Sequence, residues 1–151
     1  MAIGTDSAIE FFGTQDTLGT SSSAVADAAF SIAGDLSTWV NDDDAVTANV
    51  ILLVNYSVAP DASSSINLYL RPLDVQSTND QEIPDANFQH SYVGSFPVND
   101  VTTAQYISIN ISLPNNKTSQ NYEFYIENVT GQTIPASWDI FVTPKAIGPH
   151  A

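Results

Sequence analysis

The stretch that most constrains this chain is Val46–Val58, VTANVILLVNYSV. Its even positions, Ala48, Val50, Leu52, Val54, Tyr56 and Val58, are apolar throughout. Its odd positions, Asn49, Ile51, Leu53, Asn55 and Ser57, are polar at the ends and apolar in the middle. Successive side chains on a strand point to opposite faces, so this period of two predicts a long central strand with the even set facing a core. β-branched and aromatic residues dominate, and no Gly or Pro breaks the run before Pro60. The odd set carries the first functional hint, because Ile51 and Leu53 fall on the flank that a two-layer sandwich turns to water.

The same alternation recurs in shorter pieces. Ala26, Ala28, Phe30 and Ile32 form one phase of a segment closed by Gly34-Asp35. Ser65–Leu70 places Ile66, Leu68 and Leu70 inward and Asn67, Tyr69 and Arg71 outward, and is expected to pair with the central strand as a hairpin through the turn Ala59–Ser64. Tyr92–Val98, Tyr106–Leu113, Tyr122–Glu127 and Ile134–Thr143 follow, with turn chemistry at Asn41–Asp44, Pro114–Lys117 and Gly131-Gln132. Pro97 marks its strand as an edge. Leu73–Gln89 is the longest irregular piece, and Pro144–Ala151 reads as a surface tail.

Roughly seven or eight short strands without a helical pattern predict an all-β fold, an antiparallel β-sandwich laid out as an eight-stranded jelly roll over residues 24–151. An immunoglobulin-like sandwich is the runner-up, though its Cys pair is missing. Residues 1–23 read as an extended N-terminal arm, with Phe11 and Phe12 in an apolar knot followed by the Gly/Ser/Thr-rich Gly13–Ser23. Three roles stay open for it: a frayed end, an arm docked on a neighbouring subunit, or a first strand of the same domain.

Charge and composition then exclude several functions. The formal net charge is −14, and the cations are Arg71, Lys117 and Lys145. No basic patch is possible, so neither nucleic acid nor an anionic membrane surface is an expected partner. Charged residues make up only 13% of the chain, so the wet surface must be built from Ser, Thr, Asn and Gln. The chain has no cysteine, hence no thiolate chemistry. Its first residues show neither a cationic start nor an apolar core, and no run approaches ~18 apolar residues, so synthesis in a cytoplasm is the expectation.

Candidate chemistry is sparse. The histidines are His90, where a loop enters a strand, and the penultimate His150. Neither comes with a nucleophile in its motif. Glu123 and Glu127 share a strand phase, yet four residues of strand separate them by ~13 Å, beyond the spacing of a glycosidase pair, leaving only a cross-strand partner such as Asp139. Asp42, Asp43 and Asp44 are weak candidates for a calcium site, lacking the spacing of an EF-hand loop. The bland alternative is a turn stabilised by its own side chains. The Asn-x-Ser/Thr triplets beginning at Asn55, Asn110, Asn116 and Asn128 read as products of composition. No cofactor is expected. More informative are Ile51, Leu53, Tyr69, Tyr125 and Phe141, all on the phase opposite to the core, which together would form an interface patch.

With its strands laid out, the chain resembles the small jelly-roll proteins that decorate or cement the capsids of tailed bacteriophages. Ser7–Thr17, Ser37–Ala45, Asp85–Val98, Tyr122–Thr133 and Val142–Lys145 carry the resemblance. It implies a non-enzymatic virion protein, commonly trimeric, made in the host cytoplasm and seated over junctions of the major capsid protein. Its partners would be that protein and copies of itself, with Phe11, Phe12, Ile51, Leu53, Tyr69, Tyr125 and Phe141 as candidate contacts. A tail- or fibre-associated sandwich has a similar sequence pattern. A carbohydrate-binding module using Tyr69, Tyr125 or Tyr106 as stacking platforms is the alternative of a different class.

Overall fold

A computed structural model describes residues 8–149 of the chain. Nine strands, with no helix among the described residues, build two antiparallel sheets packed together as a β-sandwich. They are β1 (Ala8–Phe12), β2 (Asp16–Thr20), β3 (Trp39–Asn41), β4 (Thr47–Val54), β5 (Ser65–Pro72), β6 (Tyr92–Pro97), β7 (Gln105–Ser112), β8 (Gln120–Val129) and β9 (Asp139–Pro149). The first sheet runs β1–β9–β4–β7, with β2 also on β9, and the second runs β3–β8–β5–β6. Pairing is nested: β1 and β2 pair with β9, β3 with β8, β4 with β7 and β5 with β6, each successive pair lying in the other sheet.

The core follows the alternation of the central strand. Ala48, Val50, Leu52 and Val54 of β4 are fully buried, facing Ile66, Leu68 and Leu70 of β5 and Tyr122, Phe124 and Ile126 of β8. Trp138, Ile140 and Val142 complete the first sheet's inner row. Each buried Val, Leu, Ile or Phe side chain among them contributes about 1.5–3 kcal/mol by leaving water. The polar turn before β4 is closed by Asn41, whose Nδ2 donates to Ala45 O at 2.9 Å while its Oδ1 accepts from Ala45 N at 3.0 Å. That bracket explains why Asn begins the acidic run and why Asp44 tolerates a left-handed φ of 49°.

Several expectations are corrected. The central strand ends at Val54, and Val58 is exposed. β4 and β5 are not a hairpin: the chain between them crosses from one sheet to the other, so each finds distant partners. The segment expected as a strand from Ala26 makes only an isolated bridge at Phe30, with another at the preceding Val25, because Ala28 adopts a left-handed φ of 57° that breaks extended pairing. The expected tail is strand: β9 continues through Pro144 to Pro149. Residues 8–23 do not form a free arm. β1 and β2 run end to end along one edge of β9, Ser21 exchanges backbone hydrogen bonds with Trp138 and Ser137, and Trp39 Nε1 donates to Asp16 Oδ2 at 2.9 Å. Between them Gly13 passes so close to Asp43 and Pro144 that a Cβ would collide with both. Residues 1–7 of the expected arm, and His150, lie outside the described residues.

Candidate interaction surface

The outward side chains of the two sheets differ in kind. On the second sheet, Tyr69 and Tyr125 occupy the outer phase as the sequence suggests, yet they are only 2% and 1% exposed. They cannot serve as contact residues or as sugar platforms, which corrects both expectations. The cause lies in their neighbours. Phe30, delivered by its bridge to Glu127, packs its ring 5.3 Å from that of Tyr69, and Tyr92 packs edge-on from the other side at 5.8 Å.

The tyrosine hydroxyls are anchored as well. Tyr69 donates to Glu127 Oε2 at 2.8 Å and Tyr125 to Glu123 Oε2 at 2.7 Å. Burial first, then the adjacent carboxylate in each case, pushes both phenols far above their ordinary ionisation range. Arg71 completes this layer, donating from Nη1 to Glu123 Oε2 at 2.7 Å and from Nε to Gln81 O at 2.6 Å. Burial works against its charge, but the bond and charge of Glu123 outweigh it and hold the guanidinium more firmly protonated. Glu123 and Glu127 are thus committed to hydrogen bonds within the sheet face.

The first sheet presents a different surface. Register places Ile51 opposite Phe141 on β9 and Leu53 opposite Tyr106 on β7, all in the outward phase. Cross-strand neighbours of this kind lie about 5 Å apart, so the four side chains form one contiguous apolar strip. Ile51, Leu53 and Phe141 are half-buried by one another, whereas Tyr106 stands 70% exposed at the strip's edge. Around them lie Asn49, Ser108, Asn110 and Thr143, with Asn49 Nδ2 donating to Ser108 Oγ at 2.7 Å.

The same face continues onto a two-stranded overhang. β4 pairs with β9 only as far as Lys145, so Ala146–Pro149 are paired solely with β1. On this ribbon Phe11, Phe12 and Ile147 are 51%, 64% and 66% exposed. Phe12 shares the outer phase with Lys145, whose Nζ sits 5.2 Å from its ring centroid and 3.0 Å from Glu10 Oε1. Phe11 points the other way and rests against Gly148. Of the interface candidates read from the sequence, Phe12, Ile51, Leu53 and Phe141 therefore share one face, Phe11 borders it, and Tyr69 and Tyr125 lie under cover on the opposite sheet.

Tyr106 and Ile147 belong with that set and were missed as contact residues. The signal for Tyr106 was present, since it opposes the phase of Ile107, Ile109 and Ile111 in its own strand. Ile147 had no signal once Pro144 was read as the end of structure. The cover provided by Phe30 depends on a long-range bridge, and nothing local in the sequence marks it.

Chemically reactive groupings are few. Asp42 and Asp43 sit on the exposed turn, and Asp44 Oδ1 accepts from Ser119 N at 2.7 Å. Among the described residues, no three His, Asp or Glu side chains are grouped to hold a metal ion. His90 is exposed, 3.4 Å from Glu82 Oε2. Among the described residues no helix is long and apolar enough to cross a membrane. Comparison with models of known families yields no match, and no curated protein matches the chain.

Proposed function

We propose that this chain is a non-enzymatic structural module of a tailed-bacteriophage virion, a jelly-roll decoration protein that binds the outside of the capsid and stabilises it. The observation that carries the reading is the outer face of the first sheet. This sheet already buries its inner face in the core, yet it displays a contiguous strip of Ile51, Leu53, Tyr106 and Phe141, joined to Phe12 on the overhang. Apolar side chains gathered contiguously on one sheet face in this way mark a contact surface. The nested strand order supports the finer fold assignment, because β2-β9-β4-β7 over β3-β8-β5-β6 is an order expected of a jelly roll, an architecture used in viral capsid and lectin domains. A fold does not fix a function, so the assignment to the capsid exterior rests on the surface and on the sequence resemblance.

In this reading the major capsid protein is the external partner and grips both sides of the ribbon, Phe12 and Ile147 on the outer side and Phe11 on the reverse. A two-stranded ribbon is marginal alone and gains from being clamped against another surface. Binding to purified undecorated capsids tests the proposal, comparing wild type with a Phe11→Ser/Phe12→Ser variant. Wild type is expected to co-sediment with the shell, and the variant to lose at least tenfold in affinity. Failure of the wild-type chain to co-sediment, or equal binding by both proteins, would count against it.

A further inference from the structure

We infer that the outer face of the first sheet is closed by a second copy of this same chain, packed face to face. The inference rests on reading that face as an assembly surface and names its occupant. The argument begins with charge. The chain carries −14 overall, so two copies repel wherever their acidic surfaces approach. The outward residues of β4, β7 and β9 up to Lys145 are Thr47, Asn49, Ile51 and Leu53, then Tyr106, Ser108, Asn110 and Ser112, then Asp139, Phe141, Thr143 and Lys145. These twelve include one acid and one base, and Glu10 of β1, 3.0 Å from Lys145 on the same face, brings the total to −1. The face is therefore a nearly neutral window in an acidic molecule, where an identical chain can come close. The opposite sheet carries Glu123 and Glu127 outward and lies under the acidic loop that holds Asp74, Asp80, Glu82 and Asp85.

The polar rim selects the same occupant. Carboxylates can be matched only by cations or donors, whereas amides and hydroxyls both donate and accept. A rim of Asn49, Ser108, Asn110 and Thr143 is thus complementary to a copy of itself, as a two-fold contact requires. The relief fits as well. Tyr106 projects at 70% exposure beside a strip of half-buried Ile51, Leu53 and Phe141, so the ring of each copy can cover the other's strip. Tyrosine is well suited to such an anchor, with a large apolar body and a polar tip. Strand spacing gives the part of the face carried by β4, β7 and β9 up to Lys145 a footprint of about 25 by 14 Å. That is smaller than the ~800 Å² per partner of a standard stable interface, so association is expected to be reversible in the micromolar range.

Sedimentation velocity on the full chain, without capsids, tests this between about 1 and 100 μM protein, at about 0.05 and 0.5 M salt. Wild type is expected to associate as concentration rises, and to associate at least threefold more tightly at the higher salt, because screening relieves repulsion between like-charged copies. A contact made through opposite charges would weaken instead. Tyr106→Glu and Leu53→Asp are expected to stay monomeric, and Val129→Asp, on the exposed outer phase of β8, to behave as wild type. Tyr106 is so exposed that its variant keeps the test valid should Leu53→Asp misfold. A wild-type chain that remains monomeric throughout, an assembly that survives Tyr106→Glu, or an association that weakens with salt overturns the inference. A monomer that still binds capsids overturns it alone and leaves the decoration reading standing. An oligomer that ignores capsids does the reverse.

Discussion

Leu52 and Leu53 are adjacent leucines with opposite fates. Leu52 is completely buried in the core cluster, while Leu53 lies half-buried on the outer strip opposite Asp139 and Tyr106. Truncating a core leucine removes its transfer free energy and leaves a cavity, so Leu52→Ala is expected to cost about 2–5 kcal/mol. Leu53→Ala in the dilute monomer is expected to cost less than about 1 kcal/mol, since little packing surrounds it. Urea unfolding of both variants at low protein concentration checks the contrast, and equal losses would mean that the two faces of β4 are equally packed. The even and odd sets of Val46–Val58 already pointed to this division. What the pattern could not show was that Tyr69 and Tyr125, with the same outward phase as Leu53, end up covered. Phase gives direction only, and burial depends on what lies above.

At the level of elements, the long Leu73–Gln89 segment is held to the second sheet by few anchors, and Arg71 supplies two of them. It joins β5 to Glu123 of β8 by a 2.7 Å bond, reaches Gln81 O at 2.6 Å, and stands 3.6 Å from Asp80 Oδ2. Its side chain is 13% exposed, so removing it leaves Glu123 partly desolvated without its cation. Arg71→Ala is expected to lower stability by about 1–3 kcal/mol and to speed proteolysis within residues 73–89 more than elsewhere. Limited digestion followed by mass mapping reads this directly, and cleavage spread evenly over the chain would show that Arg71 does not anchor the loop. Element existence was largely legible, because six of the seven alternating segments correspond to strands or parts of strands. Their partners were not. The expected hairpin of β4 and β5 fails because hydrophobic phase is satisfied equally well by any neighbour of the right length, and chain crossing between sheets leaves no local mark.

For the whole molecule, four tyrosines link folding to alkaline pH. Burial raises the phenols of Tyr56, Tyr69, Tyr122 and Tyr125, that of Tyr122 to about 12. A folded-state value above the unfolded one means that the native state holds the proton more tightly, so this contribution is fully present below about pH 10 and is lost as pH rises toward 12 and beyond. Thermal unfolding is therefore expected to be insensitive to these groups at neutral pH and to fall steeply above pH 10. Their phenolate absorbance should appear together with loss of sheet signal. Ionisation of all six tyrosines before any change in circular dichroism would contradict the burial described for these four.

From the order of residues alone came the material of the fold: alternation sets which side chains are hidden, turn residues set where strands stop, and the shortage of cations rules out a nucleic-acid surface. These properties are local or additive, so they can be read without knowing any neighbour. The nested pairing, the concealment of Tyr69 under Phe30, the capture of residues 8–20 by β9, and the gathering of Ile51, Leu53, Tyr106 and Phe141 into one strip arise only when distant segments meet. Each is a contact between residues tens of positions apart, chosen by the combined burial of the whole chain and not by the preference of any one stretch.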